Sequence, residues 1–198
     1  PLDRQPRIRD PGVVNLLLEV IVLDFEPGTS YHYSNSGYAV LAVIVETITN
    51  QAFETFLQER IFNPSKMNQT VAFVQGQNEI PNRAMGYTVG EAGIKETDQS
   101  AYSAVLGDGG VYSSIADLTT WHRVGFGRSL ISDRLFKSMM TPALERYGFG
   151  WRIDQFEGHT RYHHSGSTSG FRNFIAHFPN IDLTLMLLTN RAGPDALP

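Results

Sequence analysis

The chain of 198 residues is 41% hydrophobic and 18% charged, with a net charge of −4, the balance of one globular domain or two closely joined subdomains and not of a disordered segment. Lys66, Lys95 and Lys137 are its only lysines and no basic run occurs, which argues against nucleic acid or an anionic membrane as main partner. With no cysteine, disulfide scaffolds, thiol catalysis and cysteine–zinc sites are excluded, and the composition suits a periplasmic or secreted bacterial protein.

Residues 1–6 carry neither a basic start nor an apolar core and do not read as a signal peptide. The longest apolar stretch, 13–25, is interrupted by Asn15, Glu19 and Asp24. It is shorter than the roughly 18–20 residues that cross a bilayer, so no membrane span is expected. Helical spacing of Tyr38, Leu41, Ala42, Val45 and Ile48 predicts a helix over 37–49, with Asn50 at its left-handed cap. A second helix over 52–62 has Phe53, Phe56, Leu57, Arg60 and Ile61 on one face and is stopped by Pro64. Residues 75–104, rich in Gly, Asn, Gln and Ser, read as an irregular excursion. Ser114 and Ser132 each read as the cap of a further helix, the first striped by Leu118, Trp121 and Val124.

The last third changes period. Segments 147–154, 160–165, 171–178 and 183–190 read as strands joined by short connections, hence an antiparallel meander. The expected class is α+β, with a helical region over 1–105 and a helix pair plus strands over 106–198. Residues 183–188 are almost continuously apolar, as in a strand covered on both faces. The earlier helices could supply that cover; otherwise it comes from a segment outside the chain, a second chain or another copy.

Several signatures of chemistry are absent. There is no Gly-x-Ser-x-Gly, phosphate loop, dinucleotide fingerprint or His-Glu-x-x-His. His159 and His163 stand four apart, but on a strand that separates them by about 13 Å, so they read as structural or exposed and no metal is expected. Three segments remain. Phe25-Glu26-Pro27-Gly28-Thr29 leads into Tyr33-Ser34-Asn35, a phenol and a carboxamide ahead of a helix. Gly109-Gly110-Val111-Tyr112-Ser113-Ser114 runs on to Asp117-Leu118 through a glycine-rich turn. His164-Ser165-Gly166-Ser167 sets an imidazole and hydroxyls beside glycines that permit close backbone approach. Singly, each is a polar turn of a common kind.

In this order the three resemble the motifs of the serine β-lactamase and penicillin-binding-protein superfamily, in its class C β-lactamase, DD-peptidase and esterase branch. The likeness runs from about Pro11 to Arg191. It implies that fold, an antiparallel sheet packed with helices plus a helical subdomain, and acyl transfer through a serine ester without metal or cofactor. On that likeness Tyr33 takes and returns the nucleophile's proton, which a phenol of ordinary pKa near 10 does only beside stabilising cations. Asn35 hydrogen-bonds the substrate's amide. His164 borders the pocket, and Ser165 and Gly166 bind substrate beside it. The Ser167 N–H forms half of an oxyanion hole.

The departures are as informative. The superfamily's nucleophilic Ser-x-x-Lys does not occur, since Asn63, Ala92 and Arg134 stand three before the lysines. Asp108 occupies a position that is usually small, and His164 replaces the lysine of class C β-lactamases, as in DD-peptidases and esterases. The expectation is therefore a portion of a serine hydrolase acting on a small-molecule or peptidoglycan-peptide-like substrate, inactive as this chain alone. The alternative is a non-catalytic binding or assembly module on the same fold.

Overall fold

A computed structural model describes residues 7–20 and 22–193. The chain divides into two compact units, Pro1–Arg83 with Gln99–Thr120, and Ala84–Asp98 with Trp121–Pro198. The division is discontinuous, unlike a single cut after residue 105.

The first unit opens with α1 (Asp10–Leu17), inside which Asp10 is buried. Its carboxylate accepts from the N–H groups of Leu106 and Gly107 at 2.9 and 2.8 Å, tying α1 to the 105–110 loop. Next comes α2 (Asn35–Thr49), capped by the Ser34 hydroxyl, which accepts from Gly37 N–H at 3.0 Å. It ends at Asn50, in the left-handed conformation (φ 52°) that asparagine tolerates. Only Ala39 and Ala42 of α2 are buried, while Leu41, Ile44 and Ile48 are exposed.

The expected helix over 52–62 has two parts. In α3 (Phe53–Leu57) the first N–H is capped by the Glu46 carboxylate at 2.9 Å. A π-helical turn over Gln58–Phe62 follows, with Asn63 N–H donating to Gln58 O at 2.9 Å. Phe62, at the end of this turn, and Met67 are buried core residues, as are Ala72, Val74, Val105 and Leu106. Strands β1 (Val71–Ala72) and β4 (Val111–Tyr112) pair antiparallel, and α4 (Ile115–Phe126) starts behind the Ser114 hydroxyl, which accepts from Asp117 N–H at 3.1 Å.

Residues 75–104, of which Ala84–Asp98 belong to the second unit, correct the sequence reading. They are not wholly irregular, because β2 (Tyr87–Gly90) and β3 (Gly93–Glu96) form a hairpin within them. What orders it is a parallel pairing of β2 with β9 (Arg191–Ala192), about a hundred residues away and invisible to local pattern. The Asn190 amide donates to Met85 O at 2.8 Å and reinforces the join.

The meander is as predicted, in the order β5-β6-β7-β8 with every pair antiparallel. Its bounds are β5 (Arg152–Phe156), β6 (His159–Thr168), β7 (Phe171–Phe178) and β8 (Leu183–Thr189), preceded by α5 (Asp133–Met139), which Ser132 caps. Two boundaries moved by three residues or more. Residues 147–151 are a bent lead-in, turned by Gly150 (φ 78°), and β6 runs through Ser165–Thr168, leaving only Ser169-Gly170 as the turn. A Cβ at Gly170 would collide with the Tyr87 backbone N, so only glycine fits there, and its N–H donates to Thr97 O at 2.8 Å.

One face of the meander packs an aromatic cluster, with Phe126 stacked on Tyr162 at 6.1 Å and edge-on to Phe136 and Trp151. On the other face the two-sided cover expected for β8 is missing among the described residues. β8 is an edge strand, and Leu183, Leu185 and Leu187 are 42, 50 and 39% exposed.

Candidate functional site

In the first unit, Glu26-Pro27-Gly28-Thr29 forms a turn closed by Thr29 N–H to Glu26 O at 3.1 Å. Proline in the second place and glycine in the third, at φ 82°, match a type II turn. The Thr29 hydroxyl donates to the same carbonyl at 2.7 Å. The chain then enters α2 with Tyr33 just before the cap and Asn35 as the first helical residue, both exposed. They stand at the electropositive end of a 15-residue helix.

The Gly109-to-Leu118 motif has a structural explanation. The Asp117 carboxylate is buried and its Oδ2 accepts from Gln69 N–H at 2.7 Å and from the Thr70 hydroxyl at 2.8 Å. The Ser113 hydroxyl meets that of Thr70 at 2.8 Å, and Ser114 caps α4. Together these residues fasten α4 to the 69–70 turn.

In the second unit, His164 lies on β6 one residue beyond the last β5 partner, His163. Strand alternation puts the His164 and Ser165 side chains on opposite faces, so what they share is the strand's edge. Backbone polarity of that edge follows from the hairpin. A two-residue turn closes on a pair that exchanges both backbone hydrogen bonds, here Thr168 and Phe171, and such pairs alternate along the strands. The Gly166–Asn173 and His164–Ile175 pairs are then the bonded ones. The N–H and C=O groups of Ser165 and Ser167 turn away from β7, toward the side β5 has vacated. Ser165, Gly166, Ser167 and Thr168 are all exposed there.

His164 is held at both ring nitrogens. Nδ1 lies 2.8 Å from Ser165 O, and because a carbonyl only accepts, Nδ1 carries the proton. Nε2 lies 2.8 Å from the Tyr147 hydroxyl, which donates to it when the ring is neutral. Burial pushes the His164 pKa below that of an ordinary histidine and Arg152 lowers it further, against the Ser165 hydrogen bond that raises it. The imidazole is therefore neutral at pH 7. Tyr147 and Arg152 were missed by motif reading. Tyr147 sits in the bent lead-in, its ring edge-on to His164 at 5.9 Å and under the Arg152 guanidinium at 5.6 Å. The clue in the sequence is the pair of glycines, Gly148 and Gly150, that interrupts the expected strand.

His163, next to His164 on β6, carries structure. Arg161 grips Asp154 through two hydrogen bonds of 2.9 and 2.7 Å, and His163 Nε2 lies 3.2 Å from the same carboxylate. The Arg161 hydrogen bond holds the Asp154 pKa below the usual carboxylate value. Among the described residues no group of three or more acidic or histidine side chains is placed to hold a metal ion, and no single helix is long and apolar enough to cross a membrane.

Known proteins resemble this chain along most of its length. Penicillin-binding protein 4* of Bacillus subtilis (strain 168) is 29% identical over 185 residues, 84% of this chain and 41% of that protein. A D-aminopeptidase of Gluconobacter oxydans (strain 621H) is 26% identical over 176 residues, 85% of this chain and 33% of its own. The chain thus spans about a third to two-fifths of the length of these curated relatives. Among solved structures, the octameric penicillin-binding protein homologue of Pyrococcus abyssi superposes with a TM-score of 0.81 at 24% identity, over 92% of this chain and 44% of that one. The D-amino acid amidase of Ochrobactrum anthropi SV3, complexed with L-phenylalanine amide, gives 0.80 at 20% identity, over 98 and 60%. These neighbours share the α+β fold. The family model described as Beta-lactamase matches residues 17–198, and the chain belongs to that family.

Proposed function

We propose that this chain is the part of a serine acyl-transfer hydrolase that supplies the proton-transfer tyrosine and the substrate-binding strand, with the nucleophile on polypeptide outside these 198 residues. The observation that carries the reading is the open edge of β6, where Ser165 and Ser167 turn backbone groups outward beside a neutral, doubly held His164. A backbone N–H at such an edge suits a developing oxyanion, and an extended substrate can add to it as a strand.

In this reading the serine Oγ attacks the acyl carbon while its proton passes to Tyr33. The leaving group takes that proton as the carbon–heteroatom bond breaks, and water then hydrolyses the serine ester. Asn35 holds the acyl side's amide and the Ser167 N–H the oxyanion. A neutral His164 attracts a substrate carboxylate less than a lysine does. The relatives include a D-aminopeptidase and the neighbours a D-amino acid amidase. Both points favour amides and esters of D-amino acids over β-lactam acids. The exposed leucines of β8 are covered, on the same reading, by further polypeptide or another copy.

The test is a polypeptide in which a Ser-x-x-Lys segment accompanies this chain. Tyr33→Phe is expected to lower its D-amino acid ester hydrolysis by a factor of about 10²–10⁴. Unchanged turnover would remove Tyr33 from the mechanism and the reading with it.

A further inference from the structure

The edge that faces the proposed substrate is shaped by a residue outside the family motifs. We propose that Tyr147 is a positioning residue, whose hydroxyl holds His164 as the Nδ1–H tautomer so that the imidazole stays bonded to the Ser165 carbonyl on the open edge of β6. For its functional meaning the proposal rests on the acyl-transfer reading above; its structural content does not.

Three observations carry it. Nδ1 lies 2.8 Å from Ser165 O, a group that only accepts, which puts the proton on Nδ1; the Tyr147 hydroxyl, 2.8 Å from Nε2, then donates to the lone pair this tautomer leaves there and stabilises it. Tyr147 is itself fixed. Its backbone bridges Leu144 and Arg152, its N–H donates to Leu144 O at 3.0 Å, and the Arg152 guanidinium covers its ring. The Ser165 carbonyl is one of the edge groups that β5 leaves uncovered, since pairing stops at Arg152–His163.

The consequence concerns the sign of the edge. With the Ser165 carbonyl engaged by His164, the N–H groups of Ser165 and Ser167 dominate what the strand offers, and donors are what an acyl oxygen requires. Without the Tyr147 contact, Nε2–H becomes accessible to the imidazole. In that tautomer Nδ1 turns a lone pair on the Ser165 carbonyl, the ring leaves it, and the edge gains a bare acceptor.

The experiment uses Tyr147→Phe, which keeps the ring, its contact with Arg152 and its edge-on packing on His164 while removing one hydroxyl. Long-range ¹H–¹⁵N spectra of the imidazoles are recorded at pH 7.5 on the 198-residue chain and on the polypeptide carrying the Ser-x-x-Lys segment. The expected result is a single Nδ1–H tautomer for His164 in the parent and a measurable Nε2–H fraction in the variant. In the longer polypeptide, ester hydrolysis is expected to fall about tenfold in kcat with KM within a factor of two. Tyr147→His, which restores a donor on a shorter side chain, is expected to recover part of both signals. An Nε2–H tautomer in the parent, or His164 spectra identical in the parent and the phenylalanine variant, overturns the proposal. So does a tautomer shift with unchanged kcat. If the longer parent polypeptide hydrolyses no ester, the acyl-transfer reading fails on its own, while the spectra still decide whether Tyr147 holds the ring.

Discussion

Asp108 stands where the family motif usually has a small side chain, and its surroundings show the consequence. Burial and the neighbouring Asp10 carboxylate raise its pKa from 3.8 to about 6, against a backbone hydrogen bond that lowers it. Between those two values the folded chain binds more protons than the unfolded one, so this group's contribution to stability falls as pH rises from 3.8 to 6 and stays low above. Asp108→Asn is therefore expected to raise the melting temperature at pH 7 and to leave it unchanged below pH 4. Four histidines act in the opposite sense. Burial lowers the pKa of His122, His163, His164 and His177, so their contribution is full above 6.5 and is lost as pH falls below it. The mechanism is plainest at His122 and His177, whose rings lie 4.6 Å apart and share the Thr184 hydroxyl at 3.0 and 2.9 Å. The other nitrogen of His122 is buried without a hydrogen-bond partner. Protonating this pair puts charge into an aromatic cluster, a cost that the Asp182 carboxylate only partly offsets. In the Asp108→Asn background, where the carboxyl no longer opposes the trend, urea midpoints should fall steadily from pH 7 to pH 5.

Caps and staples set the elements, and they differ in weight. Asp117→Ala removes the buried carboxylate that accepts from Gln69 N–H and the Thr70 hydroxyl, leaving the latter only its Ser113 contact, an expected loss of about 1–3 kcal/mol by urea unfolding. Ser132→Ala removes one exposed bond of 3.4 Å, with an expected loss near 0.5 kcal/mol. If the two cost the same, the motif around Asp117 is no staple. Much at this scale was legible in the sequence because its cause is local. Ser114, Ser132 and Asn50 mark helix ends by their own hydrogen bonds or backbone, and period-two stretches mark the meander. What was not legible depends on distant partners. The β2–β3 hairpin is ordered by β9, β6 extends through Ser165–Thr168 because β7 pairs there, and Tyr147 meets His164 from a lead-in that Gly150 bends. Tyr33 and Asn35 were recognisable only as members of an ordered set of motifs, since nothing in a phenol before a helix announces chemistry.

The whole molecule leaves apolar surface that a finished core does not. No large side chain among the described residues is fully buried; Leu18, Val22 and Ile48 in the first unit are 77–78% exposed, and Leu183, Leu185 and Leu187 of β8 in the second are exposed as well. Exposed patches of this kind drive association. The isolated chain is expected to sediment as a mixture larger than 22.1 kDa, and Leu185→Glu, placing a charge on the β8 face, to shift it toward monomer. A clean monomer in the parent would count against this. The central claim is that these residues are acyl-transfer machinery whose nucleophile lies elsewhere. Its most direct test is an intact-mass spectrum of the 198-residue chain after incubation with a penicillin and, separately, with an activated D-amino acid ester. The account predicts one unmodified species at 22.1 kDa in both samples, and a covalent acyl adduct only when a Ser-x-x-Lys segment is supplied. An adduct on the chain alone, lost on acid or hydroxylamine treatment as an ester would be, would contradict it, because the nucleophile would then lie among these residues.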